Sequence, residues 1–500
     1  MTGSQMSINL AQYREQARAF QTELVKEKYL HHAGLKEQLA VEPIYNRYRD
    51  LFSDSAVKEL AELHRNAPLD DEKPLRYLLT FAVDHALNSA VFEEDQRLAN
   101  QISSATLTLG AQTLSFHDGT VALANEKDPA RREALYHERT RAIVSLHPMR
   151  VQRLRKLHSK ARALLGRPYP ETYQLLTKVN LPVLKTQLEN FLVASESFYS
   201  SHLERYATRL LGRGLGSIEA WDVGYLFRGH EYDALFPQDK MLSVLKRTLM
   251  GLGFDLKKLT NIVIDSEPRP GKSAQAQCFP MQVPSEVYLV LRPQGGMLDF
   301  LTLFHEAAHA LHFGLTSAHE SFEFRFLGDP AVGETYGFLF EYLSLNEDWL
   351  QDFLKASSKE NDFIEFNQFR KLYLLRRYAA RFLFELTLHA RADLDDPDLG
   401  DVYQTTLKRA LHVPVDPRTY LHDLEELFHG TRFLRAWIFE AELRQILLDR
   451  FGGRWYSRPA AGDFLAEIWS WGFRYDCDEL AGRIRRWGLN LDPITQEVSK

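Results

Sequence analysis

Apolar residues recur every three to four positions through most of the chain, and that spacing predicts helices, because 3.6 residues complete a turn. The runs PLRYLLTFAVDHALNSAVFEEDQ (74–96) and LPVLKTQLENFLVASESFYSSHLERYATRLL (181–211) show it well, with long charged side chains between the apolar positions. Residues 8 to about 210 therefore read as almost wholly helical. No fixed repeat length emerges, which argues against a solenoid. Glycines cluster in GRGLGSI (212–218), so the expected division is a helical region over 1–215 and a second region over 216–500. The pattern changes clearly once. AQAQCFPMQV (274–283) and EVYLVLRP (286–293) are short and partly alternating, with only Pro284 and Ser285 between them, and they predict a β-hairpin. An exposed edge of that hairpin would accept an extended peptide main chain to main chain, whereas a covered edge would be structural only. Helical spacing then returns. Leu301, Phe304, Ala308 and Leu311 form a stripe, with Asp299 as N-cap and Gly314 as stop. Asp329 and Pro330 open a further helix whose stripe is Val332, Tyr336, Leu339, Phe340 and Leu343. Two more helices follow, over 367–394 and 433–452. The expected fold is mainly α, with a small β-sheet beside the helix that contains residues 301–311.

Composition narrows the function classes. The 500 residues are 45% hydrophobic and 26% charged, as in ordinary soluble proteins with a large core. A net charge of −6 argues against a general nucleic-acid binder. The segment RVQRLRKLHSKARALLGR (150–167) is basic and reads as a solvated helix face in preference to a phosphate-binding patch. Cys278 and Cys477 are the only cysteines, too few for a disulfide framework or a cysteine zinc site, which fits a reducing cytoplasm. The start, MTGSQMSINLAQYREQ, lacks a charged segment followed by an apolar run, and no stretch approaches the roughly 20 apolar residues of a membrane span. The expectation is a cytoplasmic protein without a membrane partner.

The chemistry lies on the two helices after the hairpin. His305, Glu306 and His309 form H-E-x-x-H. On a helix, positions four apart face the same way, so the two imidazoles can hold one tetrahedral zinc, with the glutamate beside them as base. A catalytic zinc usually takes a third protein ligand. Glu334 on the next helix offers a carboxylate, and Glu320 and Glu323 are competitors closer in sequence. Glu341, two turns beyond Glu334, is placed to orient a ligand histidine. His312 reads as a residue lining the site and His319 as a loop histidine.

HEAAHALH (305–312) resembles the HExGHALH element of the thimet oligopeptidase and oligoendopeptidase F family of zinc metallopeptidases, with Ala308 where glycine is usual. Glu334, 25 positions beyond His309, is similar in spacing to that family's ligand glutamate, and Trp221-Asp222 is similar to a short element preceding its catalytic region. The resemblance implies a multi-helix metallopeptidase fold with a deep substrate channel, the N-terminal helices forming one wall. It implies one Zn2+ per chain on His305, His309 and Glu334, with Glu306 as general base in the hydrolysis of short unstructured oligopeptides. Family members present a histidine and several tyrosines from the stretch corresponding to DPRTYLHDLEELFHGTRFLRAW (416–437), one tyrosine hydroxyl serving the oxyanion. His422 matches that histidine to within one position. Phe433, which has no donor, stands where the tyrosine is expected, and Tyr420, His429 or Arg432 are the substitutes at hand. The leading expectation is a zinc endopeptidase, monomeric or homodimeric, and the alternative is a zinc-stabilised pseudo-peptidase that binds peptides or a partner.

Overall fold

The computed structural model describes residues 8–355, 360–424, 427–485, 489 and 491–497. The three- and four-residue periodicity is realised as helix, which accounts for 71% of the chain against 5% strand. The strands are β1 (Thr106–Leu109), β2 (Gln112–Ser115), β3 (Ile262–Asp265), β4 (Gln277–Gln282) and β5 (Glu286–Val290). The helices used below are α1 (Leu10–His32), α2 (Phe116–Asn125), α3 (Pro129–Ser145), α4 (His147–Leu165), α5 (Met297–Leu315), α6 (Pro330–Glu341), α7 (Glu360–Ala390) and α8 (Gly430–Phe451). The chain divides into two compact units, each built from three segments.

The first unit comprises Met1–Ala86, Tyr232–Ile364 and Arg435–Pro493. Its sheet has the order β3-β5-β4. The expected hairpin is β4 and β5, antiparallel, with Cys278 opposite Leu289 and Phe279 opposite Tyr288. β3, parallel to β5, joins from a segment in which no strand is expected. Central β5 buries Val287, Leu289 and Val290, and Val25 of α1 with Ala33, the residue that follows it, clusters with Phe279 and Met281 of β4. α5 buries the foreseen stripe of Leu301, Phe304, Ala308 and Leu311, and α6 buries Val332, Tyr336, Leu339 and Phe340. Asp329 caps α6 as expected, accepting from the Ala331 N–H at 3.1 Å. It also accepts from the Cys477 N–H at 3.0 Å and pairs with Arg435 at 2.8 Å, which fixes where α6 begins.

Two expected helix signals act differently. Gly296, at φ +91°, is the N-cap of α5, while Asp299 sits in the first turn and accepts from the Gln294 and Gly295 N–H groups at 2.7 and 2.9 Å. Gly314 is no stop, since α5 continues through Leu315. A Cβ there would lie 2.6 Å from the Ile262 side chain, so this glycine lets α5 approach β3.

The second unit comprises Leu87–Glu231, Glu365–Leu434 and Ile494–Lys500, and residues 212–218 lie inside it. β1 and β2 pair around Gly110 at φ +63°, a hairpin within the stretch expected to be helical. The long run at 181–211 breaks at Ser195, giving helices Leu181–Ala194 and Glu196–Leu211. Ser195 is fully buried and accepts from Arg376 at 2.7 Å. Asp222 is buried in a 2.7 Å ion pair with Arg132. The basic run on α4 is largely an ion-paired face, with Arg153, Arg155 and Lys156 matched to Asp95, Asp393 and Glu94. Among the described residues no helix is long and apolar enough to cross a membrane.

Candidate metal centre

With its apolar stripe turned inward, α5 presents His305 and His309 one turn apart. Their ring centroids are 4.8 Å apart, and each side chain keeps only about 15% of its surface exposed. α6 lies against them because Gly333 and Gly337 face α5. A Cβ at 337 would stand 2.6 Å from the His305 ring, and one at 333 would stand 3.7 Å from that of His309. This close approach delivers Glu334. Its Oε2 is 3.3 Å from His305 Nε2 and 3.9 Å from His309 Nε2. One turn pair further on, Glu341 Oε2 lies 3.2 Å from His305 Nδ1. Phe338 closes one side of the His305 ring edge-on at 5.2 Å, itself stacked on Trp437 at 4.7 Å.

The donor set can be tested against zinc geometry. Bonds of about 2.0–2.2 Å in a tetrahedron place ligand atoms roughly 3.3–3.6 Å apart. The separations of 3.3 and 3.9 Å from Glu334 Oε2 to the two Nε2 atoms are close to that before any adjustment, so the residues fit the ion. Once His305 is deprotonated, the tautomer that donates Nδ1–H to Glu341 would leave its Nε2 lone pair toward the site. Glu306 also brings a carboxylate within 4.8 Å of both histidine donors, and is thus a second candidate for the third ligand. Its Oε2, however, accepts from the Cys278 N–H of β4 at 2.8 Å, whereas a single oxygen of Glu334 approaches both imidazoles. Glu334 is the better ligand and Glu306 the better base.

Burial alone would depress His305, yet hydrogen bonds to Glu334 and Glu341 outweigh it and raise the imidazole to about 10. Without a cation His305 therefore holds a proton, which a metal must displace. The competing carboxylates are engaged elsewhere: Glu323 is fully buried against Arg14 at 2.6 Å, and Glu320 pairs with Arg474 at 2.6 Å. His312 is fully buried beside Tyr336 and Phe473, where burial pushes it down to about 3, a neutral core histidine. His319 is exposed.

The C-terminal candidates belong to the second unit. Tyr420 is buried and donates to the Leu394 carbonyl at 3.2 Å, and burial raises its phenol to about 12. His422 sits between two arginines, Arg139 and Arg150. His429 is exposed. Phe433 packs edge-on against Tyr378 at 5.4 Å, with the Arg432 guanidinium 4.5 Å over its ring. Sequence reasoning missed Gly333 and Gly337, although their G-x-x-x-G spacing signals a helix face open to close approach, and missed the β4 main-chain contact to Glu306, which no side-chain motif encodes.

No family model matches the chain, and no curated protein matches it in sequence.

Proposed function

We propose that the chain is a zinc-dependent endopeptidase acting on short unstructured oligopeptides. The observation that supports this reading is two imidazoles gathered with two carboxylates: Glu306 lies within 4.8 Å of the donors of His305 and His309, and Glu334 reaches both histidines. His305, His309 and Glu334 would hold the ion, with Glu341 orienting His305. When bound, zinc supplies Lewis acidity, polarising a carbonyl and bringing the pKa of a water toward about 7. Glu306 takes the proton of the attacking water and delivers it to the leaving amine. The hydrogen bond from the Cys278 N–H fixes the direction of that carboxylate. β4 lies at the sheet edge, and an extended peptide pairing along it would run past the base, which favours unstructured substrates. Cys278 and Cys477 are free thiols, in keeping with a reducing, cytoplasmic setting.

Metal analysis should find about one zinc per chain. Glu306→Gln should keep that zinc and lose cleavage of a quenched fluorescent peptide library by at least about a hundredfold, the usual worth of a positioned base. Unchanged cleavage would remove Glu306 from the reaction. Phe433 favours a second reading, a peptide-binding protein of weak turnover, because a missing oxyanion donor costs about 3–4 kcal/mol. Peptide binding without cleavage in the zinc-loaded chain would select it.

A further inference from the structure

The face of α1 that packs on the sheet continues past the end of β4. Val25 and Tyr29 lie on that face and, with Ala33 beyond them, cluster with Phe279 and Met281. His32 Nε2 donates to the Gln275 carbonyl at 2.9 Å, so α1 runs antiparallel to β4, its C-terminal end at the start of the strand. Arg18 stands seven positions before Val25, two turns back on the same face and about 10 Å further along the axis. That distance brings it to the far end of β4. Arg14, one turn before Arg18, pairs with Glu323 at 2.6 Å and ties this end of α1 to the short helix Phe322–Phe326. From that helix Arg325 Nη1 donates to the Val283 carbonyl at 2.9 Å. Two guanidiniums therefore gather where β4 ends.

Neither engages a carboxylate. Arg18 is exposed and, among the described residues, makes no ion pair or hydrogen bond. Arg325 is half-buried; among the described residues its hydrogen bond goes to an uncharged carbonyl, and its Nε is buried without a partner. Glu323 is fully buried and faces Arg14, Glu15 is exposed and reaches neither guanidinium, and the chain ahead of Ile8 contains no acidic residue. Burial, then the Arg18 charge, lowers Arg325 below its ordinary value, the direction expected where like charges face each other. Guanidinium matches a carboxylate in geometry as well as charge, because it donates two parallel hydrogen bonds.

We propose that Arg18 and Arg325 bind a carboxylate of a peptide laid along β4, and so select substrates by a negative charge some distance from the bond that is cut. The proposal rests on the reading of β4 as the peptide-binding edge. Glu306 accepts from the Cys278 N–H at 2.8 Å near one end of β4, and Arg325 holds Val283 just past the other, five positions on. A peptide strand alongside has the same rise, so its carboxylate would lie about four to six residues, or roughly 16 Å, from the position of Glu306. A terminal carboxylate and an Asp or Glu side chain present the same group. Both arginines act as specificity residues and touch no reacting atom.

Fluorescence anisotropy with N-terminally labelled peptides tests this on the whole chain carrying Glu306→Gln, so that the peptides persist. A neutral sequence of about ten residues, enough to pass Glu306 and reach the arginines, is compared in three forms: amidated, with a free C-terminus, and amidated with a single Glu moved along it. A carboxylate-bearing form should bind at least about tenfold more tightly than the neutral one, the worth of one charge-assisted hydrogen bond. Adding R18Q should remove that preference and leave the neutral form within about twofold. A preference for the free C-terminus alone identifies a terminal carboxylate, and one for a Glu position identifies an acidic side chain. Arg18 is exposed, so its replacement spares the core; R325Q, checked by circular dichroism, should lose the same preference. Equal binding of charged and neutral forms, a preference that survives R18Q, or no binding of any form would overturn the site. Cleavage of the neutral peptide by the wild-type chain is read separately. Cleavage without a charge preference removes this site and keeps the peptidase, whereas a preference without cleavage keeps the site and removes the peptidase.

Discussion

Gly337 gives the sharpest test of the α5–α6 geometry. In Gly337→Ala the new methyl would lie 2.6 Å from both Cε1 and Nε2 of His305 and 2.9 Å from Cδ2, where contact normally begins at about 3.5–4.0 Å. Either the ring or α6 must yield by about 1 Å. A zinc ligand tolerates only about 0.2 Å, and the contacts that hold His305, 3.3 Å to Glu334 and 3.2 Å to Glu341, leave the ring no second position that keeps both. Overpacking costs about 1–3 kcal/mol, partly offset by the roughly 1 kcal/mol that alanine gains over glycine in a helix. The melting temperature should therefore fall modestly. Zinc affinity should fall about 10–100-fold, as when a ligand loses its support. Gly333→Ala is the matched control: its methyl would meet His309 at 3.7 Å, ordinary contact, so affinity should hold within about twofold while stability rises by about 0.4–1 kcal/mol. Competition for zinc against a chromophoric chelator measures both variants. Wild-type affinity in Gly337→Ala would refute the argument that His305, fixed by α6, is a ligand.

Three other outcomes follow from separate parts of the molecule. Glu341→Gln should weaken zinc binding about tenfold in the same competition, because the amide still accepts from His305 Nδ1 but no longer carries charge; unchanged affinity would show that Glu341 only packs. Phe433→Tyr should raise kcat in the peptide assay if a missing donor limits turnover, with a ceiling of about a hundred- to a thousandfold; an unchanged kcat places the donor elsewhere. His389 is buried beside His158, with Nε2 of His158 2.9 Å from its Nδ1, and burial, then the His158 charge, pushes it down to about 3. Because the folded value lies below the unfolded one, near 6.5, its contribution is intact above pH 6.5 and is lost as pH falls toward 3, reaching about 2 kcal/mol at pH 5. His389→Asn should remove that share of the acid sensitivity in urea unfolding at pH 7 and pH 5, and equal sensitivity in the two proteins would assign it to other groups.

Local pattern and long-range closure explain what the sequence made legible. The stripes of α5 and α6, the Asp329 cap and the β4–β5 pairing are local, and each follows from spacing, turn residues and a side-chain acceptor within three positions. The meeting of His305, His309 and Glu334 was also readable, because the connection between the two amphipathic helices is long enough to fold the second back against the first. Ser195 was not readable as a break: its partner Arg376 lies 181 positions away, and no window around 181–211 contains it. β3 depends on pairing with β5 across 24 residues or so of intervening chain, and parallel pairing leaves no turn signature. β1 and β2 could have been found, since Thr106 to Leu109 alternate and Gly110 supplies the left-handed turn; the helical context on both sides masked them. The units escape a linear reading because each gathers three separated segments, and GRGLGSI is a local connection within one of them.

Charge argues for a cation at α5–α6 independently of any motif. Three carboxylates, those of Glu306, Glu334 and Glu341, gather around His305 and His309. With His305 protonated, as its two carboxylate neighbours favour, negative charge exceeds positive by two within these five side chains. Packing alone gives no reason for such a gathering, because like charges brought together in a partly dry site oppose folding. A divalent ion held by the two imidazoles and Glu334, as proposed, would offset the excess and displace the second His305 proton, leaving Glu341 to accept from the Nδ1–H and Glu306 free of the ion as the proposed base.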